Sequence, residues 1–288
     1  MIDWQRFWKT GVRRVKSASV VFILHSAWFI GFANGQSPYQ LKTGREIGLL
    51  GGGVVTLGIG YVTGTNQNAI DPAEIQGLGQ QAVNAFDRGA TYKFSHTADQ
   101  LSNVSLAGTA AVLGALTLGT KPMRNDLITV GVMYVETALL ANGGVSIVKN
   151  LAGRFRPFVY NPDVPLSEKT TKDARQSFFS GHATNAFATA VFTSEVFRHY
   201  FPDSKLKPVV WIGSLGLATA TAVLRYEGGL HYPTDLIAGA AFGTLVGWGI
   251  PKLHEVKNRS ELGQRLDVQP WSNGQATGIY LRVAVFSQ

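Results

Sequence analysis

The 288-residue chain carries 26 Lys and Arg against 18 Asp and Glu, a net charge of +8, with 45% apolar and only 15% charged residues. The absence of cysteine excludes disulfide staples, thiol catalysis and Cys-ligated metals. So little charge at a mean hydropathy of +0.07 leaves two classes open: a membrane enzyme with sizeable polar loops, or an unusually apolar soluble one.

Residues 1–16 are basic. Arg6, Lys9, Arg13, Arg14 and Lys16 stand against Asp3, so half of the excess charge sits at this end. No basic stripe interleaved with aromatics follows, which argues against nucleic acid as a partner and for an anionic substrate or lipid surface. Ser17–Ala33 is apolar, and the small residues Ala33 and Gly35 lead up to Gln36 at the spacing of a cleavage site. Residues 1–35 thus fit either a cleaved secretory signal peptide or a retained signal anchor, and both send the chain to a membrane.

Glu46–Gly64 is Gly-rich and apolar. Without a strand–turn–helix context it predicts a close-packed helix and not a nucleotide-binding loop. Asp71–Ser102 is polar, opens on Asp71-Pro-Ala-Glu-Ile like a capped helix, and shows no convergence on chemistry; His96 reads as a surface residue. Val104–Gly119 and Leu127–Val148 are apolar, and the short join Thr120–Asp126 predicts antiparallel neighbours. Phe158–Gln176 is a polar loop, either a substrate lid or a solvated crossover. Ala183–Tyr200, Pro208–Leu224 and Leu236–Ile250 are apolar at helical spacing and rich in Ala, Gly and Thr, which permits close helix packing in a bilayer or in a soluble bundle. From Leu266 the period changes to that of strands, with Ser272-Asn273-Gly274 as a turn. The expectation is a leader at 1–35, an all-α membrane-associated bundle at 36–258, and a C-terminal β-hairpin tail at 259–288.

Three short stretches carry the chemistry. Arg225, His231 and Asp235 form R-x5-H-x3-D just ahead of an apolar helix. Asp235 falls four residues after His231, in reach of its ring, and a carboxylate on one ring nitrogen fixes the tautomer and frees the other as a nucleophile. Lys149 and Arg156-Pro157 spell K-x6-R-P. Phe179-Ser180-Gly181-His182 supplies a hydroxyl, a glycine and a second histidine. Taken singly, each has a bland explanation: a histidine satisfied at a helix start, or a basic cap binding lipid head groups.

In combination, over residues 145–249, they resemble the type-2 phosphatidic acid phosphatase superfamily, whose pattern is K-x6-R-P, P-S-G-H and S-R-x5-H-x3-D. That group includes bacterial acid phosphatases, membrane lipid phosphatases and vanadium haloperoxidases. Phe179 stands where the family usually has Pro, and Leu224 where it usually has Ser. The resemblance implies a helical phosphatase that needs no metal or other cofactor. His231 is then the nucleophile, Asp235 its orienting group, and His182 the proton donor and later base. Lys149, Arg156, Ser180, Gly181 and Arg225 hold the phosphate; Arg154 has no assigned part. The implied substrate is a phosphomonoester or pyrophosphate, lipid-linked or small, with vanadate-dependent halide oxidation, a soluble periplasmic acid phosphatase and a non-catalytic lipid-binding protein as the other readings.

Loop charge orients the chain. Basic residues outside the motifs gather in 1–16, at Lys121 and Arg124, in Arg198–Lys207 and in Lys252–Arg259, which the positive-inside rule places in the cytoplasm. With Ser17–Ala33 spanning and Glu46–Gly64 peripheral or re-entrant, all three motifs emerge on the outer face of the inner membrane.

Overall fold

A computed structural model describes residues 37–65 and 67–256, together with the backbone of 266–272 and 277–283. The leader expected at 1–35 lies outside the described residues.

Six long helices make up the body: α1 (Thr43–Thr65), α2 (His96–Gly119), α3 (Leu127–Ala152), α4 (Gly181–Tyr200), α5 (Lys207–Glu227) and α6 (Pro233–His254). Local chemistry sets their ends. Ser95 and Ser180 cap α2 and α4 through side-chain oxygens that accept from Ala98 N and Ala183 N. Pro233 opens α6, where its missing N–H costs nothing. Gly153, at φ +52°, closes α3 in the left-handed region. Asp71 and Glu74 form the capping box expected of Asp71-Pro-Ala-Glu-Ile.

The helix α4 lies at the centre and packs against α2, α3, α5 and α6. Most of its side chains are buried, including Thr184, Thr189, Thr193 and Ser194. The hydroxyls of Thr184, Thr193 and Ser194 donate to carbonyls one turn back, so they need no partner from elsewhere. The other five long helices are each long and apolar enough to cross a membrane. The helix α4 is not among them; its neighbours cover most of it, so its sequence need not be apolar enough to face lipid.

Glycine lets α6 lie directly on α4. A Cβ at Gly239 would stand 2.6 Å from Ser180 O, and those at Gly243 and Gly247 would run into the carbonyls of Thr184 and Ala188. That seam fixes the start of α6 against the start of α4, the two ends that carry His231 and His182.

The expectation that Glu46–Gly64 is peripheral or re-entrant is corrected. It is part of one unbroken 23-residue helix, about 34 Å long at 1.5 Å per residue and enough to span hydrocarbon. It runs parallel to α3: a Cβ at Gly53 would lie 2.7 Å from Leu139 Cβ, and Gly60 and Gly64 face Ser146 and Asn150. Close packing was the right reading of its glycines; the charge rule misplaced the helix because it had already counted a span before it. The helices α2 and α3 are antiparallel as expected but touch only lightly, and α2 packs chiefly on α5 and α4.

Val54, Val55 and Ile59 on α1, Val209 and Ile212 on α5, and Ile237, Leu245 and Trp248 on α6 are exposed apolar side chains. Apolar faces on this scale are lipid-facing surface, and the protein is a membrane protein. The soluble reading falls away.

The fold-class expectation also needs correction in its β part. The body is all-α, and among the described residues of 37–256 the sole extended pairing is the isolated bridge Tyr39↔Glu255. The antiparallel segments β1 (Leu266–Ser272) and β2 (Thr277–Val283), with Leu266 opposite Val283, follow that body and form no element of its fold.

The ends of α3, α4, α5 and α6 that carry the motifs converge with the start of α2 at one end of the bundle. The segment 153–180 folds over them on a small core of Ile70, Phe158, Val159, Val164 and Ala174.

Candidate active site

A cavity of about 600 Å³ opens at that end, lined by Lys149, Arg156, Gly181, His182, Arg225 and His231 among others. Lys149 comes from the last turn of α3, Arg156 from the loop after it, and Gly181 and His182 from the first turn of α4. Arg225 comes from the last turn of α5, and His231 from the turn before α6. Six of the eight residues expected from the motifs thus share one cavity. The other two, Ser180 and Asp235, stand behind its wall.

Each cation is held in place. Lys149 donates to Gln176 O at 2.6 Å. Arg156 is buried and donates through Nη2 to Asp173 Oδ1 at 2.6 Å and through Nε to Asp173 O at 3.0 Å. Arg225 donates to Asp99 and, more weakly, to Ser102 Oγ at 3.4 Å. Its Nε is buried with no hydrogen-bond partner. Asp99 and Asp173 both line the cavity, and their side chains stay 40% and 65% exposed. They sit at the rim, where a carboxylate can turn out to water if another anion takes its guanidinium.

His231 is 1% exposed. Burial first, and then the charges of Lys149, Arg156 and Arg225, hold its imidazole well below the usual range, so the ring is neutral. Its Nδ1 has no hydrogen-bond partner and lies 3.6 Å from Asp235 Oδ2, a contact too long for a hydrogen bond. Asp235 itself is well engaged, by Arg154 Nη1 at 2.5 Å, the Tyr232 N–H at 3.0 Å and the Ser177 hydroxyl.

His182 Nε2 lies 2.7 Å from Asn103 Oδ1. The buried Ser180 hydroxyl accepts from Ala183 N at 3.3 Å as the α4 cap and does not line the cavity. With Ser180 as the cap, the first N–H groups of α4, those of Gly181 and His182, have no partner within the helix.

Sequence reasoning missed the second tier. Arg154 bridges Asp235 and the buried Asp87, reaching Asp87 Oδ2 at 2.8 Å. Asp87 also accepts from Thr234 N at 3.1 Å and Thr234 Oγ1 at 2.7 Å. Burial raises the Asp87 carboxyl, but hydrogen bonds from Asn84, Arg154 and Thr234 outweigh it and hold the group below the usual carboxylate range. Asp99, Asn103 and Asp173 were likewise passed over. Arg154 inside K-x6-R-P was the one visible signal, a third cation with no part to play.

Fold and cavity together define a cup lined by three cations and two histidines at one end of a helical membrane protein. Residues 130–259 match the model of the PAP2 superfamily. Among curated relatives, a lipid A 4'-phosphatase of Porphyromonas gingivalis is 29% identical over 52% of this chain and 61% of its own length. A lipid A 4'-phosphatase of Bacteroides thetaiotaomicron is 33% identical over 36% of this chain and 44% of its own. A decaprenylphosphoryl-5-phosphoribose phosphatase of Mycolicibacterium smegmatis is 30% identical over 46% of this chain and 63% of its own. The chain thus spans less than two thirds of the length of each.

Proposed function

We propose that the protein hydrolyses phosphomonoesters or pyrophosphates carried on lipids, through a phosphohistidine on His231 and without a metal at the reacting atoms. The observation that carries the reading is the gathering of Lys149, Arg156, His182, Arg225 and His231 around one cavity. Three cations and the α4 terminus suit the equatorial oxygens of a phosphoryl group in flight, each well-placed donor lowering the barrier by about 3 kcal/mol.

In the first step a ring nitrogen of neutral His231 bonds to phosphorus as the bond to the leaving oxygen breaks, and His182 gives that oxygen a proton. Burial and then Arg225, Arg156 and Lys149 push the His182 ring down to about 3 in the free protein, so it takes up this proton from solvent only once the charge of the bound phosphate offsets those cations. In the second, His182 takes a proton from water, the water oxygen bonds to phosphorus, and the phosphorus–nitrogen bond breaks to release inorganic phosphate. Asp235, steadied by Arg154, faces the other ring nitrogen of His231 and stabilises the charge the ring acquires. Ser180 contributes by capping α4 and not by touching phosphate.

A lipid substrate is favoured by the membrane setting and by the relatives, whose names cite lipid A and a decaprenyl-linked sugar phosphate. An outer-facing site rests on the positive-inside reading of Lys121, Arg124, Arg198, Lys205 and Lys207, which lie at the end of the bundle away from the cavity. Arg88, Lys93, Lys169, Lys172 and Arg175 stand at the cavity end and count against it.

The test is a panel of lipid and water-soluble phosphates, assayed in detergent with EDTA for released inorganic phosphate. Turnover of lipid substrates well above soluble ones is expected. Halide oxidation with added vanadate and no phosphate release would replace this reading with that of a haloperoxidase. No turnover of any phosphoester or halide would leave a binding protein.

A further inference from the structure

At the end of the bundle opposite the cavity, Glu46 in the first turn of α1, Glu136 on α3 and His254 in the last turn of α6 meet in the interior. Glu136 and His254 are 0% exposed. His254 Nε2 lies 3.0 Å from Glu46 Oε1 and 3.2 Å from Glu136 Oε2, and the three ligand atoms fall within 4.8 Å of one another. Yet both Glu136 oxygens and His254 Nε2 have no hydrogen-bond partner. The close contacts lie off the direction in which a ring N–H would point.

His254 Nδ1 lies 2.8 Å from Ile250 O, a contact it can make only as a donor. In the neutral ring that leaves Nε2 with a bare lone pair, facing two carboxylates. Lone pair and carboxylate oxygens repel unless a positive centre lies between them. A cation on the ring axis has its other ligands to the side of that axis, which is where the oxygens lie. Bonds of about 2.0–2.1 Å at tetrahedral angles separate ligand atoms by about 3.3 Å, close to what is seen. Glu46 is already anchored, since Oε2 accepts from Lys42 N at 2.8 Å and Oε1 from Arg45 Nη2 at 2.7 Å. Arg45 offsets one of the two carboxylate charges; Glu136 has no such partner.

We propose that Glu46, Glu136 and His254 bind a divalent transition-metal ion, Zn²⁺ by their nitrogen-and-oxygen donor set, that ties α1 to α3 and α6. The site is structural. It lies a helix length from His231, about 30 Å along α6, and takes no part in the reaction. It holds, by its first turn, the helix α1, which packs lengthwise on α3 up to Lys149.

The experiment uses the full untagged chain in detergent, stripped with EDTA, exchanged into metal-free buffer and titrated with Zn²⁺ alone. Bound metal is read by elemental analysis and stability by thermal unfolding. One Zn²⁺ per chain and a rise in Tm are expected, with Mg²⁺ and Ca²⁺ failing to compete. Glu136→Gln keeps the volume and should weaken binding at least about tenfold and abolish the rise in Tm; His254→Gln should do the same should the first variant fold poorly. His231→Ala should retain both effects, which separates this site from the cavity. Equal Zn²⁺ binding by the wild type and both cluster variants, or none by the wild type, overturns the assignment.

Discussion

Arg154 grips Asp235 through Oδ1 at 2.5 Å while the other oxygen, Oδ2, stands 3.6 Å from His231 Nδ1. The guanidinium therefore sets where the carboxylate sits relative to the ring, and Asp87 sets where the guanidinium sits. Arg154 is a positioning residue. Arg154→Ala should lower kcat by roughly 10–100-fold with little change in KM, because the ring loses its counter-charge only as it becomes positive. Arg154→Lys should recover part of the loss, since one ion pair survives but not the two-handed bridge. A rise in KM with unchanged kcat would instead make Arg154 a substrate-binding group.

The two histidines should separate in a trapping experiment. With an aryl phosphate whose leaving group needs no proton, His182→Ala should still phosphorylate His231, then stall for want of a base. Acid-labile, alkali-stable label should accumulate on the protein. His231→Ala should give no label and no turnover. Label persisting in His231→Ala would remove the nucleophile from this position.

Acid should reveal how neutral His231 is. A free imidazole would be protonated by half near pH 6.5, and a nucleophile with that pKa would lose about fivefold in rate between pH 6.5 and 5.5. Burial and three neighbouring cations hold His231 well below that range, so labelling of the free enzyme should stay nearly flat over the same interval. The same shift acts on stability. Below about pH 6.5 the unfolded chain binds a proton here that the folded chain refuses, so this group's contribution to stability falls as the pH drops. A fivefold drop in the labelling rate, unaltered in Asp173→Asn, would show an ordinary imidazole.

The three motifs were legible because each is short: Arg225, His231 and Asp235 fix one another's positions within a single turn and helix start. Their gathering into one cup follows from the α4–α6 seam, whose glycines at 239, 243 and 247 were visible as composition but not as a contact. Asp87, Asp99, Asn103 and Asp173 could not be read, since nothing local marks an acid that tertiary packing will set beside an arginine far along the chain. The helix α1 was misplaced for a related reason. Loop charge constrains only the parity of the spans, so an assumed span at Ser17–Ala33 displaced a real helix at Thr43–Thr65. Burial explains the hydroxyls of α4, a stretch whose composition had left close packing in a bilayer and in a soluble bundle equally open.

Asp173 occupies the Arg156 guanidinium, and any phosphate entering the cup must share or displace it. Arg156 is buried, so removing its carboxylate leaves an uncompensated charge that an entering anion would satisfy. Asp173→Asn should therefore lower the inhibition constant for inorganic phosphate by roughly 3–10-fold and lower thermal stability in phosphate-free buffer. Phosphate should restore that stability. A weaker phosphate affinity would mean that Asp173 holds Arg156 in its binding pose and does not compete with the ligand.

The outer-facing site can be tested cleanly because the chain has no cysteine to remove. Asp163, exposed in the loop over the cavity, and Asp203, exposed between α4 and α5, lie at opposite ends of the bundle. Single variants Asp163→Cys and Asp203→Cys place one thiol at each end without touching the cup. In intact spheroplasts a membrane-impermeant maleimide should label the first at once and the second only after permeabilisation. Six long helices that alternate direction put Tyr39 and Glu255, joined by a bridge, at the Asp203 end. The residues just before α1 must then share the side of the α4–α5 turn. Labelling of Asp203→Cys alone in intact cells would turn the whole bundle over, place the cup in the cytoplasm, and show that the basic loops at Lys121, Arg124 and Lys207 do not set the orientation.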